Sequence, residues 1–129
     1  SFTLPIEPHT LRVRVDRIDR LLDGGTELVD YKTGAFRDGW KPDHQMLPIK
    51  LYVAAVRGAT GRDDVGASFH HVLDRDTWHP LTLREDEIEE ALHVARDTAD
   101  RIAAGDFTAS PGWHCRTCDF NDLCPEAER

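Results

Sequence analysis

Asp30 and Lys32 are the residues of this chain whose types and spacing most directly suggest chemistry. They lie two apart in segment 27–32, where the apolar pattern and the following Thr-Gly predict a β-strand. Because successive side chains of a strand point to opposite faces, Asp30 and Lys32 share one face and Tyr31 points to the other. A carboxylate can hold a metal ion, and a neighbouring ammonium can orient water or stabilise developing negative charge. On a strand without a catalytic role, the same pair is a surface ion pair worth ~0–1 kcal/mol.

A metal held by Asp30 needs a second carboxylate, and Asp16 and Asp19 on the preceding strand are the candidates. Directly opposed residues of an antiparallel hairpin share a face. A three-residue turn at 23–25 places Asp16 diagonal to Asp30 on that face, whereas a two-residue turn at 24–25 places Asp19 opposite Asp30. The apolar phase changes along the first strand, which indicates a β-bulge that could reset this register. The spacing therefore favours Asp16 only slightly over Asp19.

The elements that must position these residues are predicted from apolar periodicity and from turn residues. Pro48 should kink the first helix or mark its first turn, and Gly58 and Gly61 should end it. The second helix carries an apolar stripe that runs to Ile102, and Gly105 suits its C-terminal cap. Strands are predicted at 2–6, from Leu11 through Asp19, at 27–32, 66–73 and 77–83, and helices at 43–56 and 84–104.

The order of these elements predicts an α/β fold with a small central mixed β-sheet flanked by helices. The chain has 129 residues, enough for one domain with a single core. It contains no apolar run near the ~20 residues that span a membrane, and it lacks the pattern of a signal peptide. We therefore expect a cytoplasmic protein. Because the sequence begins directly in a strand-like pattern without Met, we expect a piece of a longer chain.

Two segments, VRVDRIDR at 13–20 and ELVDYKTG at 27–34, resemble the RecB-like branch of the PD-(D/E)XK nucleases. Members of that branch carry a G-x-I-D-R-x-D strand, a turn, and then a D-Y-K-[ST] strand. The resemblance implies that Asp16 and Asp30 are metal ligands and that Lys32 is the catalytic lysine. It also implies a restriction-endonuclease-like fold.

The resemblance assigns further roles. The backbone carbonyl of Tyr31 would be another metal ligand, and Asp19 would be a supporting residue paired with an arginine. The family has a Q-x-x-x-Y motif on the following helix. Here Gln45 and Tyr52 are seven residues apart, a spacing that still puts both on one helical face. The resemblance thus places Gln45 and Tyr52 in the catalytic group with an altered motif, and Val13 is a second departure, where the family usually has glycine.

Three cysteines, Cys115, Cys118 and Cys124, lie close together near the end of the chain. An odd, clustered set indicates a metal or cluster site in a reducing compartment rather than a disulfide framework. His114 could complete a Cys₃His zinc site, or the thiols could simply be free. In several RecB-like nucleases, three C-terminal cysteines at this spacing join a distant upstream cysteine to hold a [4Fe–4S] cluster. That resemblance implies cluster ligation in the full-length protein, with the fourth cysteine before Ser1.

The remaining histidines and Trp40 carry weaker expectations. RecB-like members often have a metal-binding histidine on a helix upstream of the first strand, and no such helix is found in this sequence. His44, His70 and His71 are not assigned to replace it, and packing or solvent roles are expected for them. Trp40 could stack on a base, although an aromatic residue there is more often a lid over the edge of the core.

Taken with the resemblance, the sequence predicts a nuclease core at 1–110, truncated at its N-terminus, and a cysteine-cluster tail at 111–129 packing on the same domain. The implied activity is a deoxyribonuclease dependent on Mg²⁺ or Mn²⁺, acting as an exonuclease on single-stranded DNA ends in repair and recombination. A helicase domain in the same or a partner chain is the implied partner. A stand-alone exonuclease and a CRISPR-associated nuclease are alternatives, and the isolated piece is expected to be impaired.

The contrasting hypothesis is a catalytically degenerate nuclease fold that binds DNA or acts as a scaffold. The altered spacing of Gln45 and Tyr52 favours it. The net charge of −8 also favours it, because an acidic chain does not bind nucleic acid through bulk charge. Acidity does not exclude a nuclease, however, since the carboxylates that hold a divalent metal are themselves acidic.

Overall fold

A computed structural model describes residues 1–35 and 43–128, except for the side chains of residues 43 and 44. Trp40, the loop around it and the side chain of His44 therefore lie outside the described residues. The chain divides into two compact units, Ser1–Asp97 and Thr98–Arg129. No helix in the described ranges is long and apolar enough to cross a membrane. The strands are β1 Phe2–Ile6, β2 His9–Val13, β3 Arg17–Arg20, β4 Thr26–Lys32, β5 Val65–His71 and β6 Thr77–Leu81, and the helices are α1 Asp43–Thr60 and α2 Glu85–Ala103.

Two sheets organise the first unit. Strands β1 and β2 form an antiparallel hairpin, and the other four strands form a sheet in the order β3-β4-β5-β6. In that sheet β3 and β6 pair antiparallel with their neighbours, whereas β4 and β5 are parallel. A parallel pair needs a crossover, and α1 supplies it. The predicted mixed sheet flanked by helices is thus confirmed.

The core of this unit lies between α1 and one face of the four-stranded sheet. Leu28 of β4 and Phe69 of β5 pack in one buried cluster with Ile49, Val53 and Val56 of α1. Each such side chain contributes about 1.5–3 kcal/mol when it leaves water. Leu28 shares its face of β4 with Asp30 and Lys32, so the strand runs from this core directly to the polar pair at its end.

The turn before β4 is longer than either turn length considered from the sequence. Arg20 pairs with Thr26, so five residues, 21–25, connect β3 to β4. The amide of Leu21 donates to the carbonyl of Gly25 at 2.9 Å, and Gly24 has a φ of +90°, a conformation that suits glycine. Both predicted turn lengths were therefore wrong. A five-residue turn and a three-residue turn both contain an odd number of residues, so they place the same side chains of β3 and β4 on each face of the sheet.

Other element limits also differ from the prediction. The strand expected from Leu11 through Asp19 is two strands, because the chain bends between Val13 and Arg17. Helix α1 continues through Gly58 to Thr60, since Gly61, with a φ of +67°, is the residue that ends it. Pro48 lies inside α1 rather than marking its first turn.

The second unit contains the end of α2 and the cysteine segment. Gly105 has a φ of +72°, and its amide donates a hydrogen bond to the carbonyl of Ile102. The amide of Asp106 donates a hydrogen bond to the carbonyl of Arg101. These bonds form a Schellman motif, so the predicted glycine cap is found. Ile102 itself is 56% exposed, which shows that the apolar stripe expected along α2 is not buried at this end. A short 3₁₀ helix, Trp113–Thr117, follows.

Candidate active site

Asp30 and Lys32 lie together at the end of β4, on the face that α1 covers. The Lys32 Nζ is 2.6 Å from the Asp30 Oδ2, and both side chains are largely buried. Lys32 also lies over the ring of Phe69, with Nζ 4.8 Å from the ring centroid. The two charged groups are therefore held at the boundary of the apolar core, where charges interact more strongly than at an open surface.

The Asp30 Oδ2 is buried and has no hydrogen-bond donor among the residues that the structure describes. The Lys32 ammonium is close to this oxygen but outside hydrogen-bonding geometry, so its contribution is electrostatic. The ion pair with Lys32 offsets part of the cost of burying this charged oxygen. A carboxylate oxygen in this state is suited to coordinating a cation.

The Asp16 side chain is hydrogen-bonded to the backbone of β4, the strand that carries Asp30 and Lys32. Its Oδ2 accepts a hydrogen bond from the backbone amide of Tyr31 at 3.0 Å. Arg17 is paired with Val29, so the next step along this register aligns Asp16 with Asp30. The bend before β3 lets the carboxylate reach β4 although Asp16 itself lies outside the strand.

Asp19, the alternative ligand, lies elsewhere. It is opposite Glu27 in the register, and its Oδ1 accepts a hydrogen bond from the Nε of Arg17 at 2.7 Å. Because Glu27 and Asp30 point to opposite faces of β4, this register directs Asp19 away from the Asp30 side. The structure brings Asp16, and not Asp19, to the Asp30 carboxylate.

Both aspartates affect the pKa of Tyr52 in α1. Its pKa is raised from the ordinary value of 10.0, first because the phenol is partly buried and then because Asp30 and Asp16 are negative. The two carboxylates therefore act electrostatically on one point beside α1. The phenol keeps its proton at neutral pH and can donate a hydrogen bond.

Gln45, one turn from the start of α1, lies on a different side of the group. With Lys32, Tyr31 and His71 it lines a cleft of about 420 Å³ that also includes the turn after β4. Gln45 therefore faces the Lys32 side of the site, and Tyr52 the aspartate side. The separation of seven residues spreads the two side chains along the site.

His71 also lines this cleft, and it was not found from the sequence. It is buried, it pairs with Lys32 in the parallel register, and its Nδ1 forms a 2.8 Å hydrogen bond with the carbonyl of Gly34. The bond ties β5 to the turn that follows β4. Only the β4–β5 pairing reveals this placement, and no local sequence feature predicts which strand lies beside β4.

In the described part of the chain, no three His, Cys, Asp or Glu side chains come together as a metal site. The carboxylate pair still fits one class of ion. Mg²⁺ is commonly held by one or two carboxylates together with waters and substrate phosphates. The donor set of Asp16, Asp30 and a backbone carbonyl, with an Asp30 oxygen that accepts no hydrogen bond from the described residues, suits such an ion.

The three cysteines are free thiols in different surroundings. Cys115 is buried and Cys118 is exposed, while Cys124 is partly buried. The Sγ of Cys115 accepts a hydrogen bond from the amide of Gly112 at 3.4 Å, and its carbonyl accepts one from Asn121. The Cys₃His zinc arrangement considered for His114 is not assembled in the described residues.

A mixed sheet with a parallel crossover, and an Asp-x-Lys pair joined by an aspartate from the bend before the adjacent strand, define an α/β domain of the nuclease type. A sequence model of the PD-(D/E)XK nuclease superfamily matches residues 2–125, and the chain belongs to this superfamily. Its members hydrolyse phosphodiester bonds and typically use divalent metal ions. No curated protein matches the chain.

Proposed function

We propose that this chain is a deoxyribonuclease domain that depends on Mg²⁺ or Mn²⁺ and acts as an exonuclease on single-stranded DNA ends. The observation that carries the proposal is the joining of Asp16 to β4 through the Tyr31 amide, beside the ion pair of Asp30 and Lys32. Two carboxylates, one from the bend before β3 and one from β4, and a lysine at the end of β4 are suited to metal-assisted phosphodiester hydrolysis.

Asp16, Asp30 and the carbonyl of Tyr31 would hold the metal ion. When bound, such an ion activates water and stabilises the charge on the leaving oxygen. The Asp30 oxygen, which already lies beside the Lys32 ammonium, would gain a second electrostatic partner in that state. The backbone bond to Asp16 fixes that carboxylate in advance, so little side-chain freedom is lost on binding.

Lys32 would orient the attacking water and neutralise negative charge that develops on the phosphate. Its ammonium is held near Asp30 and over Phe69, so its position is set before substrate binds. Gln45 lines the same cleft and can position the water or a phosphate oxygen. Tyr52 remains protonated and can donate a hydrogen bond to the substrate or to a carboxylate.

We also propose that Cys115, Cys118 and Cys124 are three ligands of a [4Fe–4S] cluster in a longer parent chain, with a fourth cysteine elsewhere. The spacing C-x₂-C-x₅-C and the resemblance to RecB-like nucleases support this. In this view residues 1–110 are the nuclease core and 111–129 the cluster segment. The parent would be a cytoplasmic helicase–nuclease of DNA repair and recombination.

The test of the activity is cleavage of end-labelled single-stranded DNA with Mg²⁺ or Mn²⁺, using the longest chain that can be produced. Asp30→Ala is the inactive variant, and Asp97→Ala is the matched control because Asp97 is an exposed carboxylate on α2, outside the site. The proposal expects cleavage by the wild type and the control but not by Asp30→Ala. Equal background cleavage by all three proteins would refute it.

The alternative function is a degenerate fold that binds or scaffolds DNA without cutting it. The seven-residue spacing of Gln45 and Tyr52 favours it over cleavage. The net charge of −8 counts against cleavage of DNA, but it also gives no attraction of DNA through bulk charge. Binding of the same labelled DNA, unchanged by Asp30→Ala and without metal-dependent cleavage, is the result that this alternative predicts.

A further inference from the structure

The face of the sheet opposite the candidate active site carries a group of rings and one guanidinium. Trp78 of β6 is stacked on His70 of β5, with ring centroids 4.0 Å apart and planes 18° apart. Tyr31 of β4 is tilted against the same His70 at 5.5 Å. The guanidinium of Arg17 lies 5.9 Å from the Trp78 ring centroid, and its Nη1 is 3.4 Å from the Tyr31 hydroxyl. We call these four residues the aromatic patch.

The patch is rigid at its centre and open at its edges. His70 is buried, and its Nε2 is 2.5 Å from the Oδ1 of Asp76, which fixes the orientation of its ring. Trp78 is 43% exposed and Tyr31 is 41% exposed. Because the fixed ring of His70 orients the half-exposed rings of Trp78 and Tyr31, these rings lose little conformational freedom when a flat ligand stacks on them.

The patch backs directly onto the candidate active site. Asp30 and Tyr31 are consecutive in β4 and point to opposite faces, and Asp16 is followed at once by Arg17. Strand β3, which begins at Arg17, is an edge strand of only four residues. A flexible chain that leaves the site therefore needs to pass only this short edge to reach the patch.

We propose that the aromatic patch binds unpaired bases of a single-stranded polynucleotide whose scissile phosphate lies at Asp16, Asp30 and Lys32. Aromatic side chains bind single strands without sequence preference because every base has a flat face. The guanidinium of Arg17 adds a cation that can stack on a base or meet a phosphate. This inference rests on the proposed nuclease function.

The net charge of the chain favours a ligand bound through its bases over one that is merely anionic. The chain has a net charge of −8, and Arg17 is already paired with Asp19 at 2.7 Å. A ligand held by charge alone would find little attraction here. Stacking does not depend on net charge, so a polynucleotide held through its bases can bind an acidic domain at this face.

The test measures the affinity of fluorescently labelled oligothymidylate for the full chain in EDTA, where cleavage cannot occur. Trp78→Leu should weaken binding about tenfold, the size of one lost base–aromatic contact. Trp78→Tyr keeps a stacking ring and should retain most of the affinity. Trp113→Leu is the matched control, because Trp113 is 77% exposed and lies on the 3₁₀ helix rather than on the sheet.

A second assay separates the patch from the active site. Hydrolysis of bis(p-nitrophenyl) phosphate with Mn²⁺ involves a substrate too small to reach the patch, so Trp78→Leu should leave its rate unchanged. Binding that depends on Trp78 without any hydrolysis would support the patch and refute the nuclease proposal. If the wild type hydrolyses the small substrate, but Trp78→Leu binds oligothymidylate as tightly as the wild type does, the patch proposal alone would be refuted.

Two further outcomes decide the case. No binding of oligothymidylate by the wild type, or equal loss in Trp78→Leu and Trp113→Leu, would overturn the proposal. If Trp78→Leu does not fold, Arg17→Gln replaces it, since Arg17 is half-exposed at the same patch. Weaker binding by Arg17→Gln would support the proposal, and unchanged binding would overturn it.

Discussion

The carboxylate of Asp16 accepts a hydrogen bond from the backbone amide of Tyr31 at 3.0 Å. This bond joins the bend before β3 to the strand that carries Asp30 and Lys32. Asp16 lies in the bend between β2 and β3, and from there its side chain reaches the backbone of β4. The bond also distinguishes Asp16 from Asp19, which is paired with Arg17.

Asp16→Ala is expected to reduce the rate of DNA cleavage by on the order of a hundredfold or more, the size of a lost charge-stabilising contact. Asp19→Ala should cleave at close to the wild-type rate, since it removes an exposed ion pair worth ~0–1 kcal/mol. Initial rates on labelled single-stranded DNA with Mn²⁺ check both variants. A greater loss of cleavage rate in Asp19→Ala than in Asp16→Ala would mean that Asp19, and not Asp16, acts in the site.

Lys32→Met is expected to separate metal binding from catalysis. Methionine preserves most of the apolar stem over Phe69 but removes the charge beside Asp30. Cleavage should fall about a hundredfold or more, while Mn²⁺ should bind more tightly because a repelling cation has gone. Calorimetric titration with Mn²⁺ measures the affinity, and Asp30→Asn is the control that should lose it. Cleavage at the wild-type rate by Lys32→Met would exclude a catalytic role for the lysine.

The sequence predicts the local part of this site well. Alternation in 27–32 places Asp30 and Lys32 on one face, and β4 has that arrangement. The turn length was wrong because two glycines in 21–25 permit several turns, and only parity mattered for the choice of Asp16. The end of α1 was misplaced at Gly58, because an isolated glycine within a helix costs only ~1 kcal/mol, which packing elsewhere can offset.

The non-local part could not be predicted. The pairing of Lys32 with His71, and the stacking of Trp78 on His70, depend on which strand lies beside β4. That choice is made by packing of the whole sheet against α1 rather than by any motif. The apolar stripe predicted on α2 reaches Ile102, but this residue is exposed. The pattern of a helix does not show how far along it the surface that covers its apolar side chains extends.

Tyr52 should titrate above its ordinary value of 10.0. The chain has two tyrosines, so in a Tyr31→Phe background an ultraviolet titration follows Tyr52 alone. Adding Asp30→Asn should lower this pKa, because a negative neighbour is lost, yet leave it raised, because burial is the larger cause. Binding of Mn²⁺ should lower it too. An unchanged pKa in Asp30→Asn would contradict the placement of Tyr52 beside the carboxylates.

The same shift fixes the sign of a stability effect. The folded protein holds the Tyr52 proton more tightly than the unfolded chain does, since the pKa is raised on folding. The resulting stabilisation is complete below the ordinary value of 10.0 and declines as pH rises through the folded pKa. Chemical denaturation across the alkaline range should show a smaller decline in Tyr52→Phe than in the wild type. Equal declines in both proteins would remove Tyr52 as the cause.

His71 is expected to position the turn after β4 through its 2.8 Å bond to the Gly34 carbonyl. His71→Leu removes the donor, so the turn should loosen and cleavage should slow by about fivefold, the equivalent of one net hydrogen bond of ~1 kcal/mol. His71→Asn can still donate and should recover much of the rate. Amide hydrogen exchange at residues 33–35 tests the cause directly, because only a lost tether speeds exchange there. Slow cleavage with unchanged exchange in His71→Leu would instead mean that the imidazole acts within the cleft.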